Sequence, residues 1–293
     1  QDWINGLFAS HPPSQERVQN NIELLASLPK GGDLGVARYK SKTAHLIQTK
    51  PAYEAYDKGR EALAKDELTK AQSLAQQAIA LEPKEAHFYG LMGDIEQQNK
   101  RLKPAIKQYD KAASLNPDFF YYYLQRGQVN EKLNFASRAQ ADLEHSVKLL
   151  PTADAYNSLG NLAKKAGRLN DAKSYYAKVV STEGELGQQA YGALVDLDLK
   201  DNPAKYVKVK VGQDSQGRIV ALISNPTPRA INGIVLVIQY KDATGKVQQL
   251  RRSLNGVVAT GKQQLFDLSL TGKLTPEQIK TLQARISGAQ VVH

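Results

Sequence analysis

The sequence lacks several residue types and motifs on which whole classes of protein depend. It contains no cysteine, which excludes disulfide bonds, thiolate nucleophiles and cysteine-based zinc sites. No run of eighteen apolar residues is present, so no segment is predicted to span a bilayer. The Gly-x-Ser-x-Gly elbow and the Gly-x-x-x-x-Gly-Lys-Ser/Thr phosphate loop are both missing. These absences remove the common signatures of serine hydrolases and of P-loop nucleotide-binding proteins.

Histidine is also scarce. The five histidines are His11, His45, His87, His145 and His293, and no two of them are four residues apart. A zinc peptidase site of the His-Glu-x-x-His type needs two histidines one helical turn apart, with the general-base glutamate beside the first. The sequence therefore predicts no catalytic residue, no metal ligand and no cofactor within this chain.

Acidic residues are outnumbered, and the formal net charge is +10. A basic excess raises three partners, namely nucleic acid, an anionic membrane surface and an acidic polypeptide. No lysine or arginine block of the nucleic-acid type occurs, since Arg251-Arg252 is only a pair. The spread of the lysines favours a solvated basic surface, and we predict no nucleic-acid partner.

What the sequence does contain is a period of 34 residues. Pro83, Pro117 and Pro151 are spaced by that step. Glycines and alanines keep it too, at Gly59, Gly93 and Gly127 and at Ala71, Ala105 and Ala139. Glycine in a first helix lets a second helix approach closely, and proline ends the second helix. The pattern resembles the tetratricopeptide repeat over residues 52–184, with a fourth unit shifted by one residue and a capping helix at 185–199.

This resemblance implies an α-solenoid whose first helices line a groove for a polypeptide partner. Counting along each unit predicts partner-binding positions on those helices, which are Tyr53, Tyr56, Arg60, His87, Asp94, Gln97, Tyr121, Gln128, Asn157, Asn161, Lys164 and Lys165. The predicted groove is rich in tyrosine at one end and in asparagine and lysine at the other. Only the fourth unit resembles the lysine–asparagine clamp that holds chaperone C-termini, so such a clamp is not predicted.

The period changes after Asn202-Pro203. Short β-rich runs follow, separated by turn signals. The segments 218–224 and 233–241 are apolar on both faces, as central strands are. Thr275 is predicted to cap a short helix. Six or seven strands in about ninety residues favour an immunoglobulin-like β-sandwich, and we expect it to fold independently of the solenoid after a cut between Lys200 and Ala204.

The first residues carry a second resemblance. Leu7, Phe8, His11-Pro12-Pro13 and Glu16-Arg17 precede a helical pattern of Val18, Ile22, Leu24 and Leu25. This segment is similar to the end of the catalytic domain in HExxH zinc endopeptidases of the bacterial CAAX-processing-like family, of which some periplasmic members carry tetratricopeptide tails. It implies a BepA-like architecture with the catalytic domain missing. His11 would approach the zinc only in the presence of that domain.

Together these patterns predict a multidomain chain, first α and then β. The expected parts are a peptidase-type remnant, a linker, the solenoid with its capping helix and the sandwich, at 1–28, 29–51, 52–202 and 203–293. Gln1 in place of an initiator methionine suggests a processed or truncated protein.

The expected function is a non-catalytic scaffold in the periplasm or cell envelope of a Gram-negative bacterium. As the tail of a zinc metalloprotease, it would recruit protein substrates or envelope assembly partners, and its parent would hold zinc and associate peripherally with the membrane. Three alternatives stay open: a zinc metalloendopeptidase in the full-length form, a stand-alone periplasmic adaptor, and a basic RNA-binding helical repeat. The sequence predicts no oligomeric state.

Overall fold

The structure is a computed structural model that describes residues 14–27, 35–270 and 274–292. The chain divides into two compact units, Gln1–Pro51 and Ala52–His293. Within the described ranges, no helix combines the length and apolar character needed to cross a bilayer. Residues 7–13 of the segment that resembles the zinc endopeptidases, including His11, lie outside the described residues, as does His293.

The first unit contains helix α1, Ser14–Ser27, and the beginning of helix α2, Val36–Ala64. Residues 29–51 were expected to be a linker, but residues 36–51 are helical instead. That stretch holds no glycine, and helix formers such as alanine, lysine, leucine and glutamine occupy many of its positions, which favours a helix. Tyr39, Leu46 and Ile47 are exposed on it.

The second unit begins with four antiparallel helix pairs. The first pair joins residues 52–64 of α2 to α3, and the following helices are α3 Leu68–Leu81, α4 Ala86–Gln98, α5 Leu102–Leu115, α6 Phe120–Lys132, α7 Ala136–Leu149, α8 Ala153–Lys165, α9 Leu169–Ala177 and α10 Glu185–Asp198. Helices α3, α5 and α7 each end two residues before one of the prolines that were predicted to end them. The predicted solenoid and its capping helix α10 are therefore present.

Three of the four pairs are packed tightly where a bulky side chain of the second helix crosses a glycine of the first. A Cβ atom added to Gly93 would lie 2.5 Å from the ring of Tyr109, and one added to Gly160 would lie 2.7 Å from the ring of Tyr176. The side chain of Leu143 lies equally close to Gly127, at 2.8 Å. The predicted role of the glycines, close approach of the partner helix, is confirmed.

The turn within each pair has a repeated backbone conformation. Asp66, Lys100, Asn134 and Gly167 all have positive φ, between 60° and 72°. Left-handed backbone reverses the chain after the first helix, and only in the fourth pair is the residue a glycine.

The described residues of the β region form six strands and two short helices. Their bounds are α11 Pro203–Tyr206, β1 Lys208–Gln213, β2 Ile219–Ser224, β3 Ile231–Lys241, β4 Val247–Leu254, β5 Gln263–Asp267, α12 Pro276–Lys280 and β6 Gln283–Val291. The strands form two antiparallel sheets, ordered β1-β2-β5 and β4-β3-β6. The predicted central strands, β2 and β3, are central, and Thr275 caps α12 in a capping box with Gln278.

The helical and β parts share one hydrophobic core. Val195 and Leu199, at the end of α10, are buried together with Tyr206, Ile231 and residues of both sheets. The boundary expected near residue 202 therefore falls inside a packed core. The reason is that the apolar face of the last helix has no fifth pair to cover it, and the sheets cover it instead.

Polar contacts reinforce this junction. Arg229 donates two hydrogen bonds to Asp196, at 2.8 and 3.0 Å. Asp198 accepts hydrogen bonds from Tyr206, Asn202 and two lysines. Burial raises the pKa of Asp198, but these donors outweigh burial and hold it well below its usual value. The junction is thus stabilised by both apolar and charged groups.

Replacing Gly93 with alanine should lower the free energy of unfolding by roughly 1–3 kcal/mol, because the new methyl group overlaps the Tyr109 ring. Gly212→Ala is the control, since nothing lies within 4 Å of its added Cβ atom. Urea denaturation followed by circular dichroism measures both. Equal stability of the two variants would contradict the proposed packing constraint.

A second prediction concerns the junction. The fragment 204–293 lacks Val195 and Leu199, whereas the fragment 185–293 retains them, so the longer fragment should be more stable by roughly 3–5 kcal/mol. Thermal denaturation of the two fragments measures the difference. Equal stability would return the boundary to the position near residue 202 that the sequence predicted.

Candidate functional site

A cleft lined by aromatic rings crosses the first helices of three successive pairs. Its volume is about 340 Å³. We name it the aromatic cleft, and its lining residues are Tyr56, Arg60, His87, Gly90, Leu91, Asp94, Phe119, Tyr121 and Tyr122. Because α2, α4 and α6 all contribute, the cleft exists only when the pairs are stacked.

The rings of this cleft hold one another in place. The Tyr122 hydroxyl shares a hydrogen bond with Nδ1 of His87, at 2.9 Å. The Phe119 ring packs edge-on against both of them, with centroids 5.0 Å away. Tyr122 fits beside α4 because residue 90 is glycine, where an added Cβ atom would lie 2.8 Å from the ring. One side of the cleft is therefore a rigid aromatic wall.

Asp94 lies at the centre of the site. Its carboxylate accepts hydrogen bonds from the hydroxyls of Tyr109, at 2.7 Å, and Tyr121, at 3.0 Å. Asp94 and Tyr121 also line a second opening of about 390 Å³. We name it the polar cleft, and its lining residues are Leu63, Asp94, Gln97, Gln98, Tyr121, Gln125 and Lys132. The two clefts are thus adjacent and share one carboxylate.

The carboxylate of Asp94 is mostly buried and has no ion-pair partner among the described residues. Burial raises its pKa to about 6, although the two tyrosine hydroxyls and the charge of Arg60 lower it. Burial also raises the pKa of Tyr109 and Tyr121 well above the usual value. Both phenols are therefore protonated donors at neutral pH.

The arginine that lines the aromatic cleft, Arg60, does not pair with Asp94. The Arg60 guanidinium lies over the ring of Tyr56, 5.6 Å from its centroid. It makes no ion pair with a described residue. Arg60 therefore modifies the field at Asp94 without neutralising it.

The structure brings together five of the predicted partner-binding residues in the aromatic cleft. They are Tyr56, Arg60, His87, Asp94 and Tyr121, and Gln97 joins Asp94 and Tyr121 in the polar cleft. These six residues come from the first three pairs. They form one connected site.

The other predicted residues lie apart from it. Tyr53 donates a hydrogen bond to Glu85, at 2.6 Å, and this bond raises its pKa to about 12. Asn161 accepts from the hydroxyl of Tyr176. Lys165 pairs with Glu131 across a separate, smaller cleft. Gln128, Asn157 and Lys164 line none of these three clefts.

Sequence reasoning missed Phe119, Tyr122 and the role of Tyr109. Position counting placed only Tyr121 of the Phe-Phe-Tyr-Tyr-Tyr run at 119–123 in the groove. The run itself was the available signal, since five aromatic residues cannot all turn into the core of one helix pair. Tyr109 belongs to the packing pattern, and only its hydroxyl reaches the site.

No metal site accompanies these clefts within the described ranges. No group of three histidine, aspartate or glutamate side chains there is arranged to hold a metal ion. His87 is bonded to Tyr122, and the ring of His145 packs against Tyr123 with centroids 4.2 Å apart. His87 and His145 thus both contact tyrosine side chains of the repeats.

Replacing Asp94 with asparagine should stabilise the protein at pH 7.5 and change little at pH 4. The folded-state pKa of about 6 exceeds the unfolded value. The contribution of Asp94 to the free energy of unfolding is therefore fully present below about pH 4 and is lost as the pH rises through 6. The groups that face it, Arg60, Tyr109 and Tyr121, are unchanged in the variant.

The difference in unfolding free energy between the variant and the wild type should change by up to about 3 kcal/mol between these pH values. Urea denaturation of both proteins at each pH measures it. If the difference in unfolding free energy does not depend on pH, burial does not raise the pKa of Asp94.

The comparisons with known proteins concern the helical part. Similar solved structures include a tetratricopeptide protein of Thermus thermophilus, at 21% identity over 62% of this chain and 100% of that chain, with a TM-score of 0.45. PilF of Pseudomonas aeruginosa is 16% identical over 51% of this chain and 68% of its own, with a TM-score of 0.48. The first repeat domain of Spaghetti (RPAP3), bound to the HSP90 peptide SRMEEVD, is 18% identical over 41% and 95%, with a TM-score of 0.40.

The family comparison is more direct. The tetratricopeptide-repeat family model matches residues 86–119 and 153–185. The first range contains α4 and α5, and the second contains α8 and α9. The same helix-pair arrangement occurs at 52–81 and 120–149. This chain therefore contains tetratricopeptide repeats.

Proposed function

We propose that this chain is a non-catalytic module that binds a polypeptide along the first helices of its repeats, anchored in the aromatic cleft. Tetratricopeptide repeats are generally protein–protein interaction units, since stacked pairs build an extended binding surface. The observation that carries the proposal is the aromatic cleft itself. It is open, and three successive pairs build it.

The chemistry of the cleft supports a polypeptide over other ligands. Aromatic side chains supply a large contact area at a low cost in conformational entropy, and they dominate the binding energy of protein interfaces. Tyr56 is half-buried and already fixed against Phe88, with centroids 5.2 Å apart. A partner side chain that enters the cleft therefore meets a preorganised surface.

The alternative of an RNA-binding repeat is less well supported. Phosphate contacts need several cations in register along the groove. The aromatic cleft contains the single arginine Arg60 and the carboxylate of Asp94. A carboxylate at the centre of the site would repel a phosphate backbone.

The mutation Tyr56→Ala should weaken binding of a polypeptide ligand by roughly 1–3 kcal/mol, the usual cost of removing a buried aromatic anchor. The ligands are peptides enriched from a phage-displayed library on the immobilised chain. Isothermal titration of the enriched peptides measures their affinity.

The matched control is Tyr89→Ala. Tyr89 is a half-buried tyrosine on α4 that lies outside both clefts and donates to the carbonyl of Pro83. Lys164→Ala, at an exposed residue, should change salt dependence and association rate more than affinity. Failure to enrich any peptide, or equal losses for Tyr56→Ala and Tyr89→Ala, would contradict the proposed function.

The wider context is a further part of the proposal. In it, the chain is the tail of a CAAX-processing-like zinc endopeptidase in a Gram-negative envelope, and the groove recruits protein substrates or assembly partners. This rests on the resemblance of residues 7–25 to that family. Reading the gene upstream of Gln1 tests it: an encoded His-Glu-x-x-His helix supports the parent protease. A gene that starts near Gln1 leaves a stand-alone adaptor.

The immunoglobulin-like assignment of the β region also belongs to this proposal. The strand order β1-β2-β5 and β4-β3-β6 supports it, because immunoglobulin-type sandwiches place their first, second and fifth strands in one sheet. Such a sandwich carries no chemistry of its own, so its proposed role is a docking or spacer module.

A further inference from the structure

We propose that the polar cleft receives a lysine or arginine side chain of the polypeptide partner, with Asp94 as its counter-ion and Gln97 as a second acceptor. This inference rests on the proposed function and adds the chemical class of one ligand residue. No residue of the polar cleft was predicted as a cation-binding group from the sequence.

The first support is the unfilled acceptor capacity of Asp94. A carboxylate has about four lone-pair positions for hydrogen bonds. Tyr109 uses one on Oδ1, and Tyr121 uses one on Oδ2. Both donors are neutral, and no described lysine, arginine or histidine forms an ion pair with the carboxylate. Buried carboxylates are normally paired with a cation, so this one has a binding capacity that the fold leaves unused.

The second support is Gln97, on the same helix α4. Its Oε1 atom is buried and has no hydrogen-bond donor among the described residues. Gln97 and Asp94 lie three residues apart on α4 and line the same cleft, so two side chains with unused acceptor capacity border it. An ammonium or guanidinium group has only donors, which matches this pair. A carboxylate or phosphate ligand would add further acceptors and leave the mismatch in place.

The walls of the polar cleft suit the stem of such a side chain. Leu63 and the ring of Tyr121 provide apolar surface beside the acceptors. A long basic side chain packs its methylene groups on such surface while its charged head reaches a polar partner. The volume of about 390 Å³ leaves room for a side chain of this length.

Two cations of the chain itself border the site and do not fill it. Lys132 lines the polar cleft but is exposed to solvent. Arg60 lies over Tyr56 in the aromatic cleft. Like charges repel, so these two cations oppose the entry of a basic group, and the attraction must come from Asp94. The raised pKa of Asp94 agrees with a carboxylate that lacks a counter-ion in the free protein.

The test uses the full chain and a phage-displayed library of random peptides, selected in parallel on the wild type and on Asp94→Asn. Asp171→Asn, an equal charge change on α9, is the control for electrostatics at a distance. We expect the wild type and the control to enrich peptides with lysine or arginine at one position. Asp94→Asn should lose this preference.

Synthetic peptides then isolate the contact. Replacing the enriched lysine with norleucine, which keeps the stem and removes the charge, should weaken binding to the wild type by about tenfold or more. The same replacement should leave binding to Asp94→Asn unchanged. Gln97→Met should give a partial loss, and it serves as a second variant that does not alter the tyrosine hydrogen bonds.

The outcomes separate the two proposals. Peptides that are enriched without a basic position, or a norleucine effect that persists in Asp94→Asn, would overturn this inference while leaving polypeptide binding intact. Enrichment of no peptide by any of the proteins would overturn the proposed function, and this inference with it. Loss of the basic preference in Asp94→Asn alone supports the assignment of Asp94 as the counter-ion.

Discussion

The contact between a glycine on the first helix and a bulky side chain on the second, which is a tyrosine in the second and fourth pairs, is the constraint on which the rest of the solenoid depends. The ring of Tyr109 crosses Gly93, and its hydroxyl then reaches the next residue, Asp94. Tyr176 repeats this over Gly160 and donates to Asn161. One side chain therefore sets the distance between two helices and fixes a polar residue at the binding surface. Packing and site geometry are coupled, because both depend on the same ring.

This coupling has an electrostatic consequence in the second repeat that is absent in the fourth. Asn161 is neutral, so a single tyrosine hydroxyl is an adequate partner for it. Asp94 carries a charge when ionised, and it is mostly buried with only neutral donors. The fold therefore leaves the Asp94 carboxylate without a cationic partner, which a basic ligand would supply. Binding sites commonly contain groups of this kind, whose titration is displaced by burial.

The end of the solenoid is stabilised by contacts of a different kind. A stack of helix pairs leaves the apolar face of its last helix without a partner. Here Val195 of α10 and Leu199, which follows the helix, enter the core of the β region, and Arg229 reaches across Gly192 to Asp196. The two parts thus share apolar and charged contacts. The β region is the cap of the solenoid as well as a domain attached to it.

The sequence by itself determined most of the elements from residue 52 onward, because the signals that define them are local, whereas the helix over residues 36–51 was not predicted. The 34-residue period placed the helix pairs, alternation and turn residues placed the strands, and Thr275 placed the cap of α12. It also predicted the residue types of the groove and five of the residues of the aromatic cleft. Only the tertiary structure decided which of these meet: it joined Phe119 and Tyr122 to the cleft, and it left Asn157 and Lys164 out. Those outcomes depend on how successive pairs stack and on which acceptors remain without donors, and neither property is encoded by the spacing of residues along one helix.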